Sequence, residues 1–256
     1  EGTLLGQQGA SLNVSSKLAN SGTLLSQAGF DIHAGALENI GQLAAGTLNL
    51  QSDSISNSGL LQGSAALTFN TRALDNLTGG QILSGGSLNL NLPQFTNGGL
   101  VQASQDMTLT TGSFDNLGTL SAGALNLNVA QQLNNQSGGR LLAARELSSQ
   151  SAGLTNNGVL AAKSVDLTSG QIDNNGILQG DGALGLHTPR LNNLTNGQIV
   201  SGSSLNLSIP QMVNLGLMSV KEALILSGAT LDNQGTLQGS RVGLSFSGDV
   251  VNPGNY

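Results

Sequence analysis

The chain contains no cysteine and no tryptophan, and only 2% of its 256 residues are aromatic. Without cysteine no disulfide can staple the fold. Chance, a cytosolic origin and export as an unfolded chain would each account for that absence. So few aromatics exclude a core centred on large rings, and the 38% hydrophobic residues, leucine foremost, imply many equal aliphatic layers instead. Charged residues are also scarce, at 9% against the usual quarter. The eight lysines and arginines are scattered singly in a chain of net charge −6, so no basic stripe exists and a nucleic-acid partner is not expected. No apolar run approaches the length needed to span a membrane. No charged segment followed by an apolar one opens the chain, so no signal peptide is expected. No stretch keeps a helical 3.6-residue period over ten residues.

What the chain does have is a short motif that returns about every 19 residues: apolar-x-Asn-x-Gly-x-apolar, a small-residue turn, then Leu-x-Leu. Its asparagine falls at Asn20, Asn39, Asn57, Asn76, Asn97, Asn116, Asn135, Asn156, Asn174, Asn193, Asn214, Asn233 and Asn252. A period this short and sustained marks a solenoid in which each repeat is one coil and each coil touches only its neighbours. In the coil from Phe114 to Val129, Phe114 and Asn116 alternate with Asp115, as in a strand with one buried face. Leu117-Gly118 makes a corner, read here as glycine supplying positive φ. Thr119 to Ser121 forms a second short strand, Ala122-Gly123 turns again, and Leu125 to Val129 is apolar on alternate residues. Three short strands in so few residues cannot make a sheet alone, but stacked coils can pair in parallel about 4.8 Å apart. The expectation is an all-β, right-handed parallel β-helix of about 13 coils with three short strands each, roughly 60 Å long.

The recurring asparagine has two readings. It is either a structural ladder, each amide bonding its equivalent one coil above and below, or a row that contacts a ligand. Presence in every coil favours the ladder, because it satisfies buried polar groups throughout and marks no single site. Two extra residues enter the first corner at Asn76 to Ile82, Asn135 to Leu141 and Asn193 to Ile199, in every third coil. Leu74 to Leu100 also aligns with Leu191 to Leu217, an offset of 117 residues, so the array grew by duplication of blocks. Pro93, Pro189 and Pro210 each stand four residues before a ladder asparagine, which places them in a corner needing no ladder donor.

The consensus Leu-x-Asn-x-Gly-x-Leu-x-Ala-x-x-x-Leu-x-Leu, with copies such as Leu18 to His33 and Leu231 to Phe246, resembles the haemagglutinin repeat of bacterial filamentous haemagglutinins and contact-dependent growth-inhibition exoproteins. The resemblance covers Leu18 to Pro253. It implies a β-helical shaft, export unfolded through an outer-membrane transporter of the two-partner secretion type, and display at the bacterial surface. A receptor or glycan on a target cell is the other implied partner. The Asn-Pro-Asn of the family's secretion domain is missing, since Asn252-Pro253-Gly254 occupies an ordinary repeat position, and no toxin-like segment follows. The chain is therefore expected to be internal shaft, with an imperfect coil over residues 1–17, one continuous array over 18–256, and a tendency to stack end to end.

Other chemistries find little support in the sequence. The position before the ladder asparagine is acidic at Glu38, Asp75, Asp115, Asp173 and Asp232, but never in adjacent coils, so these carboxylates are at least about 9.6 Å apart and form no catalytic dyad. A carbohydrate-active β-helical enzyme is thus the remote alternative, and a stretch that itself binds a ligand as an adhesin is the nearer one. His33 and His187 stand alone, eight coils apart, with no second histidine for a metal site. No cofactor motif is present: Gly79-Gly80 and Gly85-Gly86 make neither a dinucleotide fingerprint nor a P-loop. Asn-x-Ser/Thr occurs at Asn13, Asn76, Asn135, Asn193 and Asn206, three of them ladder positions, and reads as incidental.

Overall fold

A computed structural model of the protein describes residues 2–253; Glu1 and residues 254–256, which include the end of the array as read from the sequence, lie outside it. Every regular element among the described residues is a strand, and the pairings between coils are parallel. Contacts divide the chain into two compact units, Glu1–Asn126 and Leu127–Tyr256, and the boundary falls within the strand Thr119–Asn135.

In the first unit each coil presents three sides to the next. Thr23 to Ser26 pair with Gln42 to Ala45, Gly29 to Ala34 pair with Thr47 to Ser52, and Ala36 to Asn39 pair with Ser54 to Asn57. We call these the middle side, the long side and the asparagine side. The sequence suggested three separate short strands. Here the pairing instead runs through the corners, so Thr23–Asn39, Gln42–Asn57 and Leu60–Asn76 are each one bent strand. The register slips by one residue at the corner after the middle side, between Ser26 and Gly29 and between Ala45 and Thr47. That slip absorbs the difference between coils of unequal length. Residues 3–20 form a coil of their own, with Thr3 to Gly6 on Thr23 to Ser26 and Gly9 to Asn20 on Gly29 to Asn39.

The second unit repeats the arrangement. Arg140 to Leu142, Glu146 to Ser151 and Leu154 to Asn156 pair in turn with the coil that follows. Further on the three sides separate into distinct strands, as in Arg190–Asn193, Gln198–Ser201 and Leu205–Ser208.

The core is a set of aliphatic columns. On the middle side, Leu43, Leu61, Ile82, Val101 and Leu120 are fully buried one above another, and on the long side Leu48, Leu67, Leu88, Met107 and Leu125 form a second buried column. Two of the five phenylalanines meet. Phe95 and Phe114, each two residues before a ladder asparagine, stack face to face at 5.4 Å with their planes 6° apart. The coil repeat imposes this offset-parallel contact, since in-register residues lie one strand spacing apart. One column has a flaw. Ser149 stands opposite Leu167 at a position filled by leucine in neighbouring coils, and its buried hydroxyl has no partner among the described residues.

The glycine two residues after the ladder asparagine is explained differently from the sequence reading. It does not supply positive φ: among the described residues beyond the first coil, only Gly79 and Gly138 have one, both at 85° in enlarged corners. Its role is to let stacked backbones meet. A Cβ on Gly41 would lie 2.1 Å from the Gly22 carbonyl oxygen, one on Gly59 2.1 Å from that of Gly41, and one on Gly118 2.0 Å from that of Gly99. No side chain fits there. We expect Gly41→Ala to destabilise the protein by about 3 kcal/mol or more, the upper range for forced overpacking. At Gly29 nothing lies within 4 Å of an added Cβ, so Gly29→Ala should be neutral or stabilising by up to about 1 kcal/mol. Denaturant melts of the two variants check this, and equal effects would contradict the close-approach explanation.

Candidate functional site: the asparagine corner

Each ladder asparagine ends its strand with the side chain turned into the core. Asn39, Asn57, Asn97, Asn116, Asn135, Asn156, Asn174, Asn193, Asn214 and Asn233 are fully buried, Asn76 nearly so, and Asn20, in the first coil, is 6% exposed. Asn252 is half-buried. A buried primary amide carries two donor hydrogens and an acceptor oxygen, and all must be matched. The coil repeat provides the match. In the first unit the Nδ2 of Asn20 donates to Oδ1 of Asn39 at 2.8 Å, and the pattern continues to Asn57, Asn76, Asn97 and Asn116 at 2.8–2.9 Å. In the second unit it runs from Asn135 through Asn156, Asn174, Asn193, Asn214 and Asn233 to Asn252 at 2.5–2.8 Å.

The second amide hydrogen is also used. Asn39 donates to the Leu60 carbonyl at 3.0 Å, and Asn156 to that of Ile177 at 3.1 Å. The backbone around the corner joins in: the Ile40 and Gly41 amides both donate to the Asn20 carbonyl, at 2.9 and 3.1 Å. The enlarged corners leave the row unbroken. Their extra residues close a turn outside it, with Gly80, Gly139 and Gly197 donating to the carbonyls three residues earlier, while Asn76 still reaches Asn97, 21 residues on. Asn196 takes the place of Gly79 and Gly138 in the third such corner without a positive φ.

The other residues singled out by the sequence lie on the outside. His33 is exposed. His187 lies 3.1 Å from Asp166, both well exposed, across Gly185, where a Cβ would stand 3.2 Å from each. Glu38 pairs with Lys17. Asp173 accepts from Gln171 at 3.0 and 2.8 Å and from Asn192 at 2.6 Å, and Asp232 accepts from Gln234. Among the described residues no three histidine, cysteine or acidic side chains gather as a metal site would require. The grooves are shallow. In one of about 450 Å³, Gln132 donates to Thr155 while Gln171 holds Asp173. Two features escaped the sequence reading: the phenylalanine stack, signalled by their shared place in the repeat, and the polar pairs between coils, such as Asn192 with Asp173, which depend on register.

The model of the Haemagglutinin repeat family matches six segments, residues 1–42, 43–92, 84–137, 120–169, 160–209 and 211–252. The chain belongs to the haemagglutinin-repeat family. No curated protein and no solved structure matches it. The haemagglutinin-repeat match begins at residue 1, so it includes the first coil as well as those from Leu18 onward. In this repeat the asparagine is the residue whose removal should be felt most. Asn97→Ala leaves the Nδ2 of Asn76 and the Oδ1 of Asn116 without their buried partners, a cost of about 1–3 kcal/mol for each stranded group. Thr96→Ala, one residue away on the exposed face, should stay within about 0.5 kcal/mol. Chemical denaturation of both variants checks the contrast.

Proposed function

We propose that this chain is structural shaft from a large secreted bacterial surface exoprotein, an adhesin or a contact-dependent toxin carrier, that holds a binding or toxic module away from the producing cell. The ladder asparagines form a spine within each unit rather than a ligand row, because their side-chain amides bond to those of neighbouring coils. That is the observation that carries the reading: in each unit the bonding from asparagine to asparagine continues from coil to coil without interruption. Membership of the haemagglutinin-repeat family supports the surface setting. In this reading the asparagine row has a structural role.

Export fits the chemistry of the coil. A chain without cysteine can pass an outer-membrane transporter unfolded without forming disulfides on the way. Once outside, each folded coil presents the next with its asparagine Nδ2 donor, strand carbonyls and apolar columns. Folding can then propagate one coil at a time, as in other one-dimensional repeat proteins.

The test removes whole and partial coils from the exoprotein on its own cell. Deleting residues 98–116, one coil from asparagine to asparagine, should preserve export and the activity of the distal module. Deleting residues 98–106 should abolish both, because no register then restores the spine. The isolated chain should bind neither recipient cells nor a glycan array. Saturable binding by the isolated chain, competing with the whole exoprotein, would overturn the shaft reading in favour of an adhesin segment.

A further inference from the structure

The residue directly after each ladder asparagine faces outward at the corner. In the first unit these residues alternate in size from coil to coil: Ser21, Ile40, Ser58, Leu77, Gly98 and Leu117. Their backbone is fixed in register, with the amides of Ile40, Ser58, Leu77, Gly98 and Leu117 each donating to the asparagine carbonyl of the coil before, at 2.6–2.9 Å. Ile40, Leu77 and Leu117 are 58%, 48% and 53% exposed. The other strongly exposed large apolar side chains among the described residues, Leu4, Leu5, Val250 and Val251, all lie in the first and last coils. The strongly exposed large apolar side chains of the coils between them are thus gathered in one row, as knobs about 9.6 Å apart, two strand spacings, with gaps of equal width between them.

We propose that this row is a lateral self-association surface whose partner is the same row of a second, antiparallel copy of this chain. A second copy has the one period that matches the knobs at every step, since both rows are set by the same strand spacing. An α-helix offers side chains every seven residues at about 10.5 Å and drifts out of step over three knobs. Reversing the chain direction about a two-fold axis between the third and fourth coils places Leu117 over the partner's Ser21, Leu77 over its Ser58 and Ile40 over its Gly98. All three knobs of each copy then enter gaps, and the contact is isologous and closed.

The area is small. Three half-exposed aliphatic side chains per copy fall well short of the roughly 800 Å² per partner of a stable complex. The association is therefore weak in solution and gains strength where many copies stand on one surface. Its charge sets a further condition. The residue before the asparagine is acidic in the same coils as the knobs, at Glu38, which Lys17 partly neutralises, and at Asp75 and Asp115. The antiparallel arrangement brings the two acidic rows to the same side of the contact, where they interleave at about one strand spacing. Added salt, by screening them, strengthens the contact.

Sedimentation of the full chain over a concentration series up to the millimolar range tests the surface. The unaltered chain should self-associate reversibly, more strongly at 1 M than at 0.05 M salt. The triple variant Ile40→Ser, Leu77→Ser, Leu117→Ser should weaken association about tenfold or more with an unchanged β-sheet circular dichroism spectrum. Ser58→Leu fills a gap while adding apolar surface, so it separates interdigitation from stickiness: association should fall, and a rise would overturn the proposal. Because the chain has no cysteine, orientation can be read by cross-linking. Leu117→Cys in one copy and Ser21→Cys in another should form a mixed disulfide. Neither variant alone should cross-link, as like positions stand about 24 Å apart, five strand spacings, beyond disulfide reach. A chain that stays monomeric at every concentration and salt, or a mixture without the mixed disulfide, would refute the proposal.

Discussion

The amide-to-amide hydrogen bond between successive ladder asparagines is the constraint on which the rest depends. It needs a side chain with donor and acceptor on one short planar group, delivered at the same point of every coil. Serine would reach less far, aspartate at neutral pH could only accept, and glutamine would need more room. Once that group recurs, backbones must approach closely beside it, which demands glycine two residues on. The apolar residue two before it is drawn inward by strand alternation. The corner residue between asparagine and glycine points outward. A fixed geometry at one atom pair therefore orders a quarter of each coil.

Stability on this plan is local and repeated. Each coil bonds and packs against its neighbours, so a defect is felt by one or two coils rather than by a whole core. Ser149 illustrates the tolerance: a buried hydroxyl without a partner persists in a column that is otherwise leucine. The enlarged corners illustrate it again. Two added residues leave the asparagine row through a closed turn and cost the spine nothing, so corners are where the repeat can vary in length without losing register.

Much of this was legible in the sequence, for a physical reason. A strand period of two and a coil period near 19 are imposed on every copy, and thirteen copies average out local exceptions. The parallel β-helix, the inward asparagines and the outward acids follow from that periodicity alone. What was not legible depends on contact between coils. The recurring geometry at Gly41 or Gly118 looks from sequence like a conformational need and is in fact a steric one. The stacking of Phe95 on Phe114 requires the coils to be placed before two distant phenylalanines become neighbours. The junctions between sides were hidden as well, because bent strands such as Thr23–Asn39 pair through corners that the sequence marks as turns. The candidate site was legible in its residues, but the second hydrogen of amides such as those of Asn39 and Asn156, spent on a carbonyl of the next coil, was not.

Hydrogen exchange of the side-chain amides, resolved by NMR, tests the central claim most directly. The account predicts that the Nδ2 hydrogens of Asn39, Asn57, Asn76 and Asn97, and of Asn156, Asn174, Asn193 and Asn214, exchange as slowly as the backbone amides of their own strands. Those of exposed residues such as Asn13 and Asn206 should exchange at once. Rapid exchange at the buried asparagines, with the backbone still protected, would mean that the amides are not bonded to one another and that something else holds the coils together.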